Sequence, residues 1–333
     1  YNIFDNKDVL ITGGTGSFGL SFTKYILKHY NPSRLIIFSR DEYKQYIMSQ
    51  DLNKNKLRKV RFFIGDVRDK ERLYRAMQNV KIVVHAAAMK HVGSSEYNPI
   101  EAIKTNIIGA ENVINASIDA KVEKVVALST DKAANPANLY GATKLCSDKL
   151  FVAANNLVGK GITKFSVVRY GNVLGSRGSV VEIFKNAFKN GHEFIPITDN
   201  NMTRFWITLE QGVKFVISSI NFMYGGEIFV PKIPSMKVID LANYVAPGVK
   251  HKIIGIRPGE KIHEIMITKD DAINTLEFKD RYIIVPQNIM KFKGKRYSLG
   301  KEQGKKVFIN FEYSSEKNKS WLNTNKLEKL LSK

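Results

Sequence analysis

Cysteine is almost absent from this chain: Cys146 is the single one in 333 residues. It can close no internal disulfide and has no companions at zinc-ligand spacing, so no metal site is expected and a reducing compartment is. Proline (9) and glycine (23) are too few for collagen-like or low-complexity structure. No apolar run nears the roughly 18 residues of a membrane span, and no N-terminal stretch has signal-peptide character. A cytoplasmic protein with no membrane partner is the expectation. Acidic residues are in deficit, 31 against 52 Lys and Arg, which leaves a net charge of +21. The excess is uneven, since residues 286–333 carry 12 Lys or Arg against 4 Asp or Glu. Lys outnumbers Arg 39 to 13, as codon bias alone can produce, and basic tails are commonly just solvated. Nucleic acid is therefore not expected as a partner. A phosphate-bearing small molecule suits the milder bias of the remainder.

What the chain does have is regular apolar patterning, with 44% hydrophobic residues. Short buried-strand runs at Val9–Ile11, Leu35–Phe38, Val60–Ile64, Ile82–Ala88, Val125–Leu128 and Phe165–Arg169 alternate with helical stretches. Repeated β–α units predict an α/β fold, a Rossmann-type doubly wound parallel sheet over residues 1–175. Past 175 the rhythm changes. Strands at Phe194–Ile197, Glu227–Val230 and Lys252–Ile256 mix irregularly with helices at Thr208–Ile220 and Val238–Ala246. That pattern suggests a smaller α/β substrate-binding lobe over 176–285, followed by a basic tail, 286–333, that packs only in places.

The first strand runs into Thr12-Gly13-Gly14-Thr15-Gly16-Ser17-Phe18-Gly19, with Gly13, Gly16 and Gly19 three apart. Behind it Phe18, Phe22, Tyr25 and Ile26 share one helix face. Strand, glycine turn and helix together form a site where backbone approaches a pyrophosphate and the helix N-terminus meets its charge. The second strand ends in Ser39-Arg40-Asp41-Glu42. Arg at this point accommodates a 2′-phosphate, whereas a leading carboxylate favours the free ribose, so NADP is expected over NAD. Asp66, after the third strand, either bonds an adenine amino group or caps the next helix. Small residues from Ala86 onward would let the cofactor lie close, ahead of a loop with Lys90 and His91.

The densest chemistry is Ser129-Thr130-Asp131-Lys132, straight after Val125–Leu128 and followed by Tyr140 and Lys144. A hydroxyl, a carboxylate, an ammonium and a phenol thus gather at the strand-end edge where open α/β sheets bind ligands. Tyr140 and Lys144 lie one turn apart on one helix face. The ammonium is expected to lower the phenol's pKa, so that Tyr140 takes a sugar hydroxyl proton while hydride leaves for nicotinamide. Spacing alone is weak, because roughly one or two Tyr-x-x-x-Lys pairs arise by chance in such a composition. Three occur (Tyr140/Lys144, Tyr297/Lys301, Tyr313/Lys317), and only the first lies at the sheet edge. Asp131 and Lys132 add an acid–base pair that simple redox chemistry does not need. A C4 ketone would acidify the C5 proton, and Lys132 could remove it as a neutral amine. Its pKa, ordinarily about 10.4, would be lowered by Lys144 and the nicotinamide cation. Asp131 would protonate the departing C6 hydroxyl.

These motifs resemble the extended short-chain dehydrogenase/reductase family through Gly13/Gly16/Gly19, Asp66-Val67, Asn106 and Tyr140/Lys144. More narrowly, residues 5–285 resemble the inverting UDP-N-acetylglucosamine 4,6-dehydratases of pseudaminic acid synthesis in flagellated bacteria. The runs that carry this are 10–19, 63–69, 128–133, 138–144, 169–173, 176–180, 202–206 and 256–260. The resemblance implies a homo-oligomeric, NADP-dependent lyase with Thr130, Asp131, Lys132, Tyr140 and Lys144 catalytic. It places the cofactor on Gly13, Thr15, Gly16, Ser17, Phe18, Gly19, Ser39, Arg40, Asp41, Glu42, Tyr43, Lys44, Asp66, Val67, Ala86, Lys90, Tyr140, Lys144 and Val173. UDP-N-acetylglucosamine would meet Lys90, Thr130, Asn172, Arg177, Gly178, Ser179, Val180, Thr198, Arg204, Arg257 and Glu260. The implied product is UDP-2-acetamido-2,6-dideoxy-β-L-arabino-hexos-4-ulose, inverted at C5. Retaining dehydratases usually carry Asp-Glu where this chain has Asp131-Lys132. In one departure from the family, Gly93-Ser94-Ser95 stands where Pro and a small or apolar pair are usual. A retaining UDP-sugar dehydratase, a 4-epimerase and a non-catalytic cofactor-binding regulator remain as alternatives.

Overall fold

The computed structural model describes residues 2–176, 178–286 and 297–331. Its centre is a sheet of six parallel strands: β1 (Asp8–Thr12), β2 (Arg34–Ser39), β3 (Val60–Ile64), β4 (Ile82–His85), β5 (Lys124–Thr130) and β6 (Lys164–Tyr170). They stand in the order β3-β2-β1-β4-β5-β6, so β1 and β4 flank the point where the winding reverses. This is a Rossmann-type doubly wound sheet. The continuous apolar runs follow from it: helices cover both faces, so β1, β4 and nearly all of β2 and β6 are buried along their length.

β4 ends at His85, three residues before the end of the apolar run Ile82–Ala88. There the Ala86 N–H is shared between the Thr12 carbonyl and Thr12 Oγ1, each at 3.2 Å, and the Ala87 N–H turns to the same Oγ1 at 3.2 Å. The released segment crosses directly over Gly13. That glycine has φ +65°, and a Cβ on it would stand 2.8 Å from the Ala87 nitrogen.

The sheet does not stop at β6. Ile228–Pro231 adds in parallel, Arg281–Ile284 and Thr275–Glu277 follow antiparallel, and residues 305–306 form the edge. All three stretches divided in the sequence thus contribute to one sheet, and the boundaries at 175 and 285 do not divide it. A separate, smaller core does exist. It joins Leu174, Val181, Phe184, Trp206, Leu241 and, from the tail, Leu322 and Leu327. Burying a side chain of this kind contributes about 1.5–3 kcal/mol, enough to anchor the tail at those positions. Phe308 stays exposed.

Candidate active site

A cleft of about 750 Å³ runs along the C-terminal edge of β1, β2, β4, β5 and β6. At one end it is lined by Gly13, Thr15, Gly16, Ser17, Phe18 and Gly19. The helix Ser17–His29 opens there at Gly16, which has no side chain to cap it. A backbone bare of Cβ atoms together with an uncapped helix N-terminus fits a pyrophosphate. Beyond the end of β2, Ser39, Arg40, Asp41 and Lys44 continue the lining, whereas Glu42 and Tyr43 do not. Thr15 and Ser39 bond through their hydroxyls at 2.9 Å. Asp41 caps the following helix through the Lys44 N–H. The Arg40 side chain is 70% exposed and lies 3.6 Å from Asp66.

Asp66 is not a helix cap. That role falls to Asp69, which accepts from the Arg72 N–H. Asp66 instead accepts from the Arg68 N–H (3.0 Å) and guanidinium (2.8 Å). Burial works against its charge, but Arg68 and Arg40 outweigh it and hold the carboxyl below the usual range. Val67, Ala86 and Lys90 line the same cleft.

Thr130, Lys132, Tyr140 and Lys144 line the cleft between these parts, and Asp131 does not. β5 delivers Thr130, and the single 3-10 turn Asp131–Ala133 follows at once. Asn138 caps the next helix, Leu139–Leu157, by accepting the Gly141 N–H at 2.8 Å. Gly141 sits so close to the Lys132 carbonyl that any side chain there would collide with it. Tyr140 is thereby brought against the turn. A π-turn at Lys104–Ile108 aims Asn106 inward, where it bonds Met89 N (2.8 Å), Met89 O (2.9 Å) and Thr143 Oγ1 (3.0 Å). Asn106 therefore ties the segment over Gly13 to the helix of Tyr140. It positions the site and does not line it.

Charges in this cluster differ from those expected. Asp131 is fully buried, and its Oδ1 accepts from Thr130 Oγ1 (2.9 Å) and Lys132 Nζ (3.0 Å). Lys132 also reaches Asn172 Oδ1 (3.4 Å) and Glu264 Oε1 (3.5 Å), with 24% of its side chain open to the cleft. Burial opposes the Lys132 ammonium, but the Asp131 and Glu264 carboxylates overcome it and push its pKa up, contrary to the expected lowering. Burial first, with Glu264 adding, pushes the Asp131 carboxyl up against Lys132. Tyr140 is likewise raised, to about 12, chiefly by burial. Lys144 does not counter it in this state, because its Nζ donates to the Leu128 carbonyl at 2.8 Å. Burial lowers Lys144 itself, with Asp148 opposing.

Asn172, Val173, Gly178, Ser179 and Val180 line the far end of the cleft. Arg177 lies outside the described residues. Thr198, Arg257 and Glu260 meet each other elsewhere: Thr198 Oγ1 donates to Glu260 Oε2 (3.1 Å), and Arg257 pairs with Glu260 at 2.7 Å. Arg204 is buried, its guanidinium donating to the carbonyls of Thr203, Lys261 and Ile262 and lying 3.7 Å from Glu264. None of these four lines the cleft. Trp206, His91 and Ser94 also line it, although none of them was assigned to cofactor or sugar. Ser94 comes from the departing Gly93-Ser94-Ser95 stretch, which forms the start of the helix Val92–Tyr97. Glu264 was missed as well. Its only signal in the sequence is a carboxylate directly ahead of the apolar run Ile265–Ile267.

Residues 9–286 match the polysaccharide biosynthesis protein family. An inverting UDP-N-acetylglucosamine 4,6-dehydratase of Campylobacter jejuni subsp. jejuni serotype O:23/36 (strain 81-176) is 58% identical over 327 residues, covering 98% of this chain and 97% of the relative. Its counterpart in serotype O:2 is 56% identical over 331 residues, with 99% and 98% covered. Among solved structures, Pen from Bacillus thuringiensis superposes with a TM-score of 0.89 at 37% identity, over 99% of this chain and 98% of that one. The chain belongs to the polysaccharide biosynthesis protein family, in the group that holds the inverting UDP-N-acetylglucosamine 4,6-dehydratases.

Proposed function

We propose that this protein is an NADP-dependent inverting 4,6-dehydratase of UDP-N-acetylglucosamine, acting in the cytoplasm as a homo-oligomer in pseudaminic acid or related nucleotide-sugar synthesis. The observation that carries the reading is the Asp131–Lys132 pair, 3.0 Å apart, in which Lys132 lines the cleft together with Tyr140 and Asp131 is buried against it. A redox site alone needs no such pair, and elimination across C5–C6 needs both a base and an acid.

The chemistry a nicotinamide supplies when bound is hydride acceptance from C4 and hydride return at C6. Tyr140 takes the C4 hydroxyl proton. Because burial raises its pKa to about 12 in the ligand-free cleft, its own proton must first pass to solvent, and the Lys132 ammonium nearby favours the phenolate that results. Transfer of one proton from Lys132 Nζ to Asp131 Oδ1 converts ammonium and carboxylate into amine and carboxylic acid. That single shift arms both partners: the amine removes the C5 proton, and the acid protonates the leaving C6 oxygen as water departs. Reprotonation of C5 from the other face then gives the L-arabino product.

Incubation with UDP-N-acetylglucosamine in D₂O tests the reading. The expected result is a 4-keto-6-deoxy sugar of L-arabino configuration with deuterium at C5. Retained D-configuration would make it a retaining dehydratase, and an intact C6 oxygen with inverted C4 would make it an epimerase. Failure to turn over any UDP-sugar would leave a cofactor-binding regulator.

Arg40 supports the choice of NADP, because it stands at the ribose end of β2 with its guanidinium largely exposed. Arg40→Ala is expected to weaken NADP⁺ binding about tenfold or more while leaving NAD⁺ binding nearly unchanged, since a guanidinium–phosphate contact is charge-assisted. Titration of the variant with each dinucleotide measures this; equal losses for both would remove Arg40 from phosphate recognition.

A further inference from the structure

Glu264 is 2% exposed, although it is a carboxylate. Three cations from three parts of the chain surround it. Lys132 stands 3.5 Å from Oε1, Arg204 3.7 Å from the same oxygen, and Lys261 3.3 Å from Oε2. Lys261 in turn donates to the Ala134 and Asn135 carbonyls, each at 3.1 Å, so the loop that carries it is latched to the turn after Lys132. The backbone of Glu264 is pinned from the tail: its N–H donates to Ser315 Oγ (2.9 Å), and the Ser315 N–H donates to its carbonyl (2.8 Å). A buried carboxylate is costly unless paired, and this one is held where its charge acts on Lys132.

We propose that Glu264 is a positioning residue of the acid–base site, holding the Lys132 ammonium in place and serving as its counterion once Lys132 has taken the C5 proton while Asp131 still carries its own. The inference rests on the dehydratase reading above. In that reading Asp131 gains and loses a proton in each cycle, so it cannot supply a constant negative charge. Glu264 can, because Lys132, Arg204 and Lys261 together overcome its burial and keep it ionised. The charged groups facing the pair are Asp131, Arg204, Lys261 and the phenol of Tyr140; His263, next to Glu264 in the chain, turns to Glu316 at 3.6 Å.

The active form of the Asp131–Lys132 pair carries one proton between them. Activity should therefore fall at low pH, where the pair holds two, and at high pH, where it holds none. A nearby negative charge raises both limits. Glu264→Gln should move both limbs of the kcat–pH profile to lower pH by about one unit or more. Glu264→Asp should return them toward wild type. Lys261→Gln, which removes a competing cation, should move both upward. A residue with a merely structural role would lower the plateau and leave the limbs where they are.

Wild-type profiles with UDP-N-acetylglucosamine come first. No 4-keto-6-deoxy product from wild type overturns the dehydratase reading and this inference with it. Turnover by wild type with limbs unmoved in Glu264→Gln overturns the role of Glu264 alone. Should Glu264→Gln fail to fold, Lys261→Gln decides: an upward shift supports the role and an unmoved profile overturns it.

Discussion

Lys132→Ala is expected to give a folded protein that binds NADP and forms no 4-keto-6-deoxy product, a loss of about a thousandfold or more given what a placed general base contributes. Removing the ammonium takes away the base for C5 and also the proton that arms Asp131. Folding should survive. The Asp131 carboxyl already sits above its usual pKa through burial, and without Lys132 it takes up a proton and stays neutral. Glu264 keeps Arg204 and Lys261 as partners. The diagnostic readout is exchange at C5: wild type should wash deuterium from D₂O into substrate and product, and the variant should not. Unchanged exchange in Lys132→Ala would show that another group is the base. Dinucleotide binding, measured in parallel, separates this outcome from a collapsed cleft, because the glycine turn and the end of β2 lie elsewhere on the sheet edge.

Much of the fold was legible because parallel strands buried on both faces leave continuous apolar runs. β3 matched its run residue for residue, and β1, β2, β5 and β6 each differed from theirs by a residue or two at the ends. β4 did not, because Ala86–Ala88 is apolar without being strand: its backbone passes over Gly13 instead of continuing the ladder. The ten-stranded sheet was not legible past β6. Its outer strands come from residues 228–306, and their pairing depends on contacts that no local period encodes. The same limit applied to the site. Thr130 through Lys144 lie on one strand-turn-helix unit, so their meeting could be read from the chain. Glu264 lies 132 residues from Lys132, and only the folded chain brings them together. The wrong sign for Lys132 has the same origin, since the expected lowering counted two cations, Lys144 and the nicotinamide, and set neither Asp131 nor the buried Glu264 carboxylate against them.

Gly13→Ala is expected to cost both stability and dinucleotide binding, in a way that tests how the two halves of the site are joined. At φ +65° an alanine pays about 1–2 kcal/mol for its left-handed backbone. Its Cβ would also stand 2.8 Å from the Ala87 nitrogen and 2.9 Å from the Ala86 carbonyl carbon, neither of which is a flexible side-chain end. Relieving that overlap costs about a further 1–3 kcal/mol and must push the Ala86–Met89 segment outward. Met89 is bonded through both its N–H and its carbonyl to Asn106, which bonds Thr143 on the helix of Tyr140. The displacement should therefore reach the acid–base cluster as well as the pyrophosphate turn. Thermal unfolding is expected to start at lower temperature, NADP binding to weaken and kcat to fall even at saturating dinucleotide. A variant that loses binding but regains full kcat once saturated would show that the segment over Gly13 moves without carrying Asn106, and that the cofactor turn and the Asp131–Lys132–Tyr140 cluster are positioned independently.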